Sequence, residues 1–246
     1  MKNRFLIYCL AVSAFLLGSP ITVLCQQAEG DLPQSPSNVA DQKINAPPIT
    51  MITPGHFEIG GVQIKKQEGV VEFPALVNMD NGLLEYLIVG RAGKLHESLL
   101  RTDIEPYNLQ IALLMLGLEG TSNPLVEQGD PGIPEGDPVI IRVEWGKGMK
   151  PQRSRIEEWV LNKENGNPLD PVEWIFTGSV VSNGVFMAQV EKSIVAVYHD
   201  PAAMIDNPMP EGVSDEIWFV NEKKVPEAGT PVTVIIEMIN KKGDRN

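Results

Sequence analysis

Cysteine is almost absent from this chain. The 246 residues include two, Cys9 and Cys25, and none after position 25. Thiolate catalysis, zinc–thiolate sites, iron–sulfur ligation and an internal disulfide are therefore excluded from everything beyond that point. Histidine is nearly as scarce, with only His56, His96 and His199 to supply an imidazole. Basic residues are outnumbered, 20 against 32 acidic, for a formal charge of −12. That balance disfavours a partner such as nucleic acid, whose backbone needs a basic surface, and tight adhesion to anionic lipid. Long apolar runs are missing after the first 25 residues. What is present is 43% hydrophobic residues with 22 Gly and 20 Pro, enough apolar material for one sizeable core. A coiled coil, a collagen-like repeat and a wholly disordered chain do not have this composition.

The one long apolar run lies at the start. Lys2 and Arg4 precede Phe5–Leu17, and Gly18-Ser19-Pro20 then breaks the pattern before Val23-Leu24-Cys25. This is the layout of an export signal over residues 1–25, cut before Gln26. Phe5–Leu24 approaches the length of a membrane span, but Pro20 and the short apolar stretch argue against an uncleaved anchor. A lipid anchor on Cys25 is disfavoured because Leu24 stands where such signals carry Gly, Ala or Ser. The expected location is therefore exported, periplasmic or secreted, with no transmembrane domain after cleavage. Loss of Lys2 and Arg4 leaves 18 basic residues against 32 acidic, a charge of −14.

Residues 26–53 are rich in Gln, Ser, Pro, Asn and Asp and read as a disordered tether. A single domain is expected over residues 54–241. Within it, Gly60–Ile64 and Val70–Phe73 read as strands, and Lys94–Leu99 as another. Ala75–Met79 and Leu83–Val89 read as a hairpin around Asp80-Asn81-Gly82. Pro106–Leu116 is the clear helix: Thr102 or Asp103 is placed to cap it, Pro106 suits its first turn, and Gly117 ends it. Its residues Leu109, Ala112, Leu113 and Leu116 recur at helical spacing. In the second half, Val139–Trp145 alternates, with Val139, Ile141, Val143 and Trp145 on one face. Further strands are expected at Ile156–Leu161, Trp174–Thr177, Phe186–Val190, Ser193–Tyr198, Ile217–Val220 and Val232–Ile239. A short helix is expected from Asp200-Pro201 to Ile205. The pattern predicts a sheet-rich α+β fold of about ten mostly antiparallel strands, one main helix and one short helix.

Several of these segments are also distinctive as sequence. GVQIKKQEGVVEFPALVN from Gly61, LLEYLIVGRAGKLHESLLRT from Leu83, the ALLMLG helix end, WIFTGS at Trp174–Ser179 and VPEAGTPV at Val225–Val232 together resemble the YdjY domain. That resemblance implies a bacterial secreted or envelope protein of a largely uncharacterised family. Ferredoxin-like cysteine clusters that accompany some relatives are not carried over, since the cysteines are missing here.

Candidate chemistry centres on two histidine–acid pairs, His96-Glu97 and His199-Asp200, each some 15 residues after an Asn-Gly turn. If the fold joins them, His96, Glu97, His199 and Asp200 form a two-histidine, two-carboxylate set suited to a divalent metal. Against this, adjacent strand residues point to opposite faces. His96 and Ser98 would share one face of a strand, which makes a Ser–His contact thinkable, but no G-x-S-x-G elbow accompanies them. Asp130, Glu135 and Asp137 read as an acidic surface turn, their spacing unlike an EF-hand. Trp145, Trp159, Trp174 and Trp218 read as packing residues. The expectation is a non-catalytic exported module that binds or assembles with an envelope protein or a glycan, with no cofactor. The alternative is a metal-dependent hydrolase built on the two histidines.

Overall fold

The computed structural model describes residues 47–146 and 151–239, all of them within the unit that begins at Asn38. The export segment and most of the tether lie outside the described residues. No helix among the described residues is long and apolar enough to cross a membrane.

The first elements are strands β1 (Thr50–Thr53), β2 (His56–Ile59), β3 (Val62–Lys65) and β4 (Val70–Val77), each antiparallel to the next. Strand β1 occupies the last four residues of the segment read as a tether. Gly60 and Gly61, with φ of 54° and 88°, make the two-residue turn between β2 and β3. Two successive positive φ angles are what such a hairpin requires, so these glycines stand outside the strand they were assigned to.

Next come β5 (Tyr86–Gly90), β6 (Ser98–Thr102) and helix α1 (Pro106–Leu116). The second half holds β7 (Asp137–Trp145), β8 (Gln152–Arg155), β9 (Val160–Asn162), β10 (Asn167–Pro168) and β11 (Trp174–Phe176). It continues with β12 (Val181–Ser182), β13 (Val185–Phe186), helix α2 (Met187–Glu191), β14 (Ser193–Ala196) and β15 (Ile205–Asp206). Strands β16 (Trp218–Val220) and β17 (Pro231–Met238) close the described chain.

The architecture overturns the α+β expectation of about ten strands. Twelve strands form one sheet, and within it the order β4-β17-β7-β11-β15-β14-β5-β6 returns from β6 to β4, closing an eight-stranded barrel. Strands β1 to β3 extend from the first half of β4, and β8 pairs with β7. An eight-stranded barrel is just wide enough for side chains to fill. Here Val71, Phe73, Ile141, Val143, Phe176, Val234 and Ile236 belong to one continuous buried cluster. The alternation expected in β7 holds: Val139, Ile141 and Val143 are buried, with Trp145 half-buried against Trp159.

Closure depends on β4 serving two neighbours along one edge. Glu72 pairs with β3, Leu76 pairs with Arg101 of β6, and Pro74 sits in the gap between. A proline has no N–H to offer, and this is the one stretch of that edge where no strand needs one. The Pro74 carbonyl is satisfied by Thr102 Oγ1 at 2.7 Å. Thr102 thus serves the seam and the Ile104 N–H, and caps no helix.

The expected hairpin across Asp80-Asn81-Gly82 is corrected. Strands β4 and β5 are not neighbours, because β6 lies between them, parallel to β5 and antiparallel to β4. The Asn-Gly segment instead links the barrel to β16: Gly82 and Leu84 exchange backbone hydrogen bonds with Val220 and Trp218. The chain from β5 to β6 has only residues 91–97 in which to return to the start of a parallel neighbour. It runs back over β5, seating Leu95 on Tyr86 and Val89, which is why β5 is buried on both faces.

Helix α1 has the predicted bounds and ends at Gly117 in the left-handed conformation (φ 95°). Its cap residue is Glu105, which makes no side-chain cap bond; Gln189 of α2 supplies the acceptor for the Tyr107 N–H. Three further expectations change. Phe186–Val190 is largely helix α2, consistent with its run of Met, Ala and Gln, which favour helix. The segment after Asp200 is a turn leading into β15 rather than a helix. Residues 156–159 are a 3₁₀ segment that precedes the short strand β9.

That 3₁₀ segment is anchored by a buried carboxylate. Glu157 Oε1 lies 2.7 Å from Arg155 Nη2, 3.2 Å from Trp174 Nε1 and 3.2 Å from the Val172 N–H. Removing it leaves buried donors without an acceptor. In urea unfolding, Glu157→Ala should therefore lose about 3–5 kcal/mol. Glu157→Gln, which keeps an acceptor oxygen, should lose clearly less. Equal losses would contradict the anchoring role.

Candidate functional site

Strand β14 runs antiparallel to β5, so the end of β14 and the start of β5 meet at one end of the barrel. The polar residues that follow β14 therefore come together with those around the start of β5, forming a buried polar cluster.

Tyr86 is the hub. Its hydroxyl donates to Asp200 Oδ2 at 2.8 Å and accepts from Lys94 Nζ at 2.6 Å and Gln128 Nε2 at 3.2 Å. Lys94 is delivered by the 91–97 return path, with its ammonium 4.8 Å from the Tyr86 ring centre. Burial, and then the charge of Asp200, push the Tyr86 hydroxyl well above the ordinary tyrosine range, so it stays protonated and donates. Asp200 Oδ1 accepts the Ala202 N–H at 2.8 Å, which folds the turn into β15.

His199 stands beside this hub. It is 1% exposed, and both ring nitrogens face backbone carbonyls: Nδ1 lies 2.9 Å from Asp130 O and Nε2 3.1 Å from Asn207 O. Its own backbone is held by the Gly212 carbonyl (2.7 Å) and the Gly129 N–H (2.9 Å). The loops before β7 and before β16 are thus both pinned to one residue. Asn207 is equally engaged: its amide donates to Val197 O, its side-chain oxygen accepts the Met209 N–H, and its N–H binds Asp206.

Asp206 is 1% exposed, and its partners among the described residues are the backbone N–H groups of Asn207 (2.7 Å) and Asp200 (3.4 Å). Burial pushes its carboxyl well above the usual range, more than those two N–H groups lower it, and the Asp200 charge adds to the rise. Burial likewise raises Glu85, reinforced by Glu97 and opposed by Lys94.

The four residues read as metal ligands occupy different settings. The His96 side chain is 78% exposed on a 3₁₀ turn, where its ring pairs with Glu97 at 3.2 Å. Glu97 lies next to Glu85, Asp200 belongs to the Tyr86 hub, and each ring nitrogen of His199 faces a backbone carbonyl. The histidines share no partner. Among the described residues no group of three His, Cys, Asp or Glu side chains is arranged to hold a metal ion. Ser98 Oγ donates to the Lys94 carbonyl rather than to His96. Asp130 accepts the Val126 and Gly132 N–H groups, which lower its carboxyl, and Asp137 Oδ2 accepts the Glu119 N–H. Both therefore shape the acidic loop itself.

Sequence reading missed Tyr86, Lys94, Gln128, Asp206 and Asn207. The available signal was Asp206-Asn207 directly after the apolar run Ala202–Ile205, two polar residues where a strand should stay buried.

The YdjY domain family model matches residues 62–237, a span that covers the barrel from β4 to all but the last residue of β17, and this cluster. No curated protein and no solved structure matches the chain. The chain belongs to the YdjY domain family.

Two measurements test the cluster. A Cβ on Gly212 would stand 2.1 Å from His199 Nε2, so Gly212→Ala must displace the ring and should lower stability by about 1–3 kcal/mol in denaturant unfolding. The second concerns pH. Below the unfolded carboxyl range both states hold the Asp206 proton. As pH rises through about 4, the unfolded chain releases it while the buried carboxyl keeps it, so stability is lost until the folded group titrates. Asp206→Asn removes that loss, so its stability relative to the parent should rise between about pH 4 and 7. A difference independent of pH would contradict a buried, protonated Asp206.

Proposed function

We propose that this YdjY-domain protein is an exported module that binds or assembles with another component of the bacterial envelope, and performs no reaction of its own. The observation that carries the reading is the internal accounting of the polar cluster. His199 is buried with a backbone carbonyl of the same domain against each ring nitrogen, and the carboxylate oxygens of Asp200 and the side chain of Asn207 are hydrogen-bonded within the domain and equally buried. A catalytic base or a metal ligand must present a lone pair to a substrate or ion, and these buried groups are walled off from both. These groups instead hold the turn after β14 and the loops before β7 and β16 against the barrel.

Export rests on the sequence: the basic start, the apolar run and the break at Gly18-Ser19-Pro20. An acidic chain without cysteine beyond residue 25 suits a partner recognised through surface shape and charge. A protein or a glycan of the envelope is the class in view.

The rival reading, a metal-dependent hydrolase using His96 and His199, is separated by zinc. Equilibrium dialysis of the purified protein against zinc should give no stoichiometric uptake, and His96→Ala should leave the residual uptake unchanged. One tightly held zinc per chain, lost in the His96→Ala, His199→Ala double variant, would overturn the proposal.

A further inference from the structure

The small sheet β10-β9-β16 carries an apolar row on its outer face. Its register sets Pro168 and Phe219 on either side of Leu161, while Trp218 and Val220 turn inward. Beside this row is a cleft of about 400 Å³, with Leu161 and Pro168 as its apolar floor, lined also by the buried Val220 and edged by Glu222, Lys223 and Lys224. Its volume lies within the range of ligand sites.

The cleft's charge runs against that of the molecule. On a chain of −12, its edge carries two lysines against one glutamate. The exposed Lys223 and Lys224 make no ion pair among the described residues, unlike Lys65 and Lys192, which are held by Glu72 and Glu105. The turn that carries them is rigid: the N–H groups of Lys224 and Val225 both return to the Asn221 carbonyl, and the Asn221 side chain is tied to Glu158 O. The Lys223 N–H has no acceptor among the described residues. One backbone donor and two lysines therefore adjoin a small apolar floor made by Leu161 and Pro168.

That combination fits a carboxylate attached directly to a short apolar group. The floor is too small for a long acyl chain, and the cleft opens to solvent, so a chain can leave it. The geometry points to the free C-terminus of a polypeptide ending in an aliphatic residue, its carboxylate at Lys223–Lys224 and its last side chain on Leu161 and Pro168. This rests on the binding-module reading and supplies the class of partner.

Fluorescence anisotropy with three labelled hexapeptides, alike except for a last residue of Leu, Ala or Asp, tests it. A C-terminally amidated version of the Leu peptide and free decanoate as competitor complete the set. The Leu peptide should bind best and the Asp peptide worst. Amidation should weaken binding about tenfold, the loss expected when a charged hydrogen-bond acceptor is removed. Lys223→Ser with Lys224→Ser should weaken it to a similar extent with an unchanged melting temperature, because both side chains are exposed. No binding by any peptide at about 1 mM would overturn the assignment, that being the weak end of measurable affinity. Equal binding of acid and amide, or displacement by decanoate at far lower concentration than by unlabelled peptide, would do the same. Failure here in protein that takes up no zinc removes the cleft assignment alone. Stoichiometric zinc uptake removes the binding-module reading itself.

Discussion

The structure depends on one shared edge. Strand β4 pairs Val70 to Leu76 with β17 on one side, and on the other it divides between β3 and β6. Only two residue pairs, Leu76 with Arg101 and Val77 with Leu100, join β4 to β6, with the Thr102 to Pro74 bond beside them. That short seam turns an open sheet into a barrel. Closure removes the free edges that an open sheet would expose and encloses an interior that side chains can fill. It also forces the chain between β5 and β6 to return over the outer face of β5, since β6 must run parallel to it.

From that return path follows the polar end of the barrel. Lys94 reaches Tyr86 because the path crosses β5 there, and Tyr86 meets Asp200 because β14 ends where β5 begins. Buried polar groups are expensive unless every donor and acceptor is matched, and a low dielectric strengthens the matched ones. Asn207 meets that demand by bonding backbone atoms of neighbouring segments, and the His199 ring is held between two backbone carbonyls. Two glycines permit the close approach: a Cβ on Gly129 would fall 2.3 Å from the Tyr198 hydroxyl, as one on Gly212 would fall on His199. The result is a fixed scaffold, and the exposed Lys223 and Lys224, without an ion pair among the described residues, stand outside it on the turn after β16.

Legibility in the sequence followed the range of the interaction. Helix α1 was readable because its apolar spacing and Gly117 are local signals, and β7 because Val139, Ile141 and Val143 alternate. The Asn183-Gly184 turn was readable too: it joins β12 to β13 with φ of 50° and 79°. Its counterpart at Asn81-Gly82 misled, since turn chemistry cannot report that a third strand separates the two it connects. The barrel itself was illegible because its closing contacts pair residues far apart in sequence, some through strands of two residues. At the site, the repeated histidine–acid pattern drew attention to His96 and His199 equally. Burial separates them, one on an exposed turn and the other at the centre of the cluster. Tyr86 escaped notice because it begins the apolar run Tyr86–Val89, where an aromatic residue reads as packing.

Closure at the β4–β6 seam is the claim on which the rest stands, and native-state hydrogen exchange measures it directly. The Asn78 N–H, bound to Leu99 O at 2.8 Å, reports the seam, and amides of the exposed strand β1 serve as the fast reference. If the seam is integral to the fold, Asn78 and Leu76 exchange only through global unfolding, with an opening free energy equal to that from denaturant unfolding. Exchange of those amides at the rate of β1, while the β7–β17 amides stay protected, would mean that the sheet is open and contradict the account.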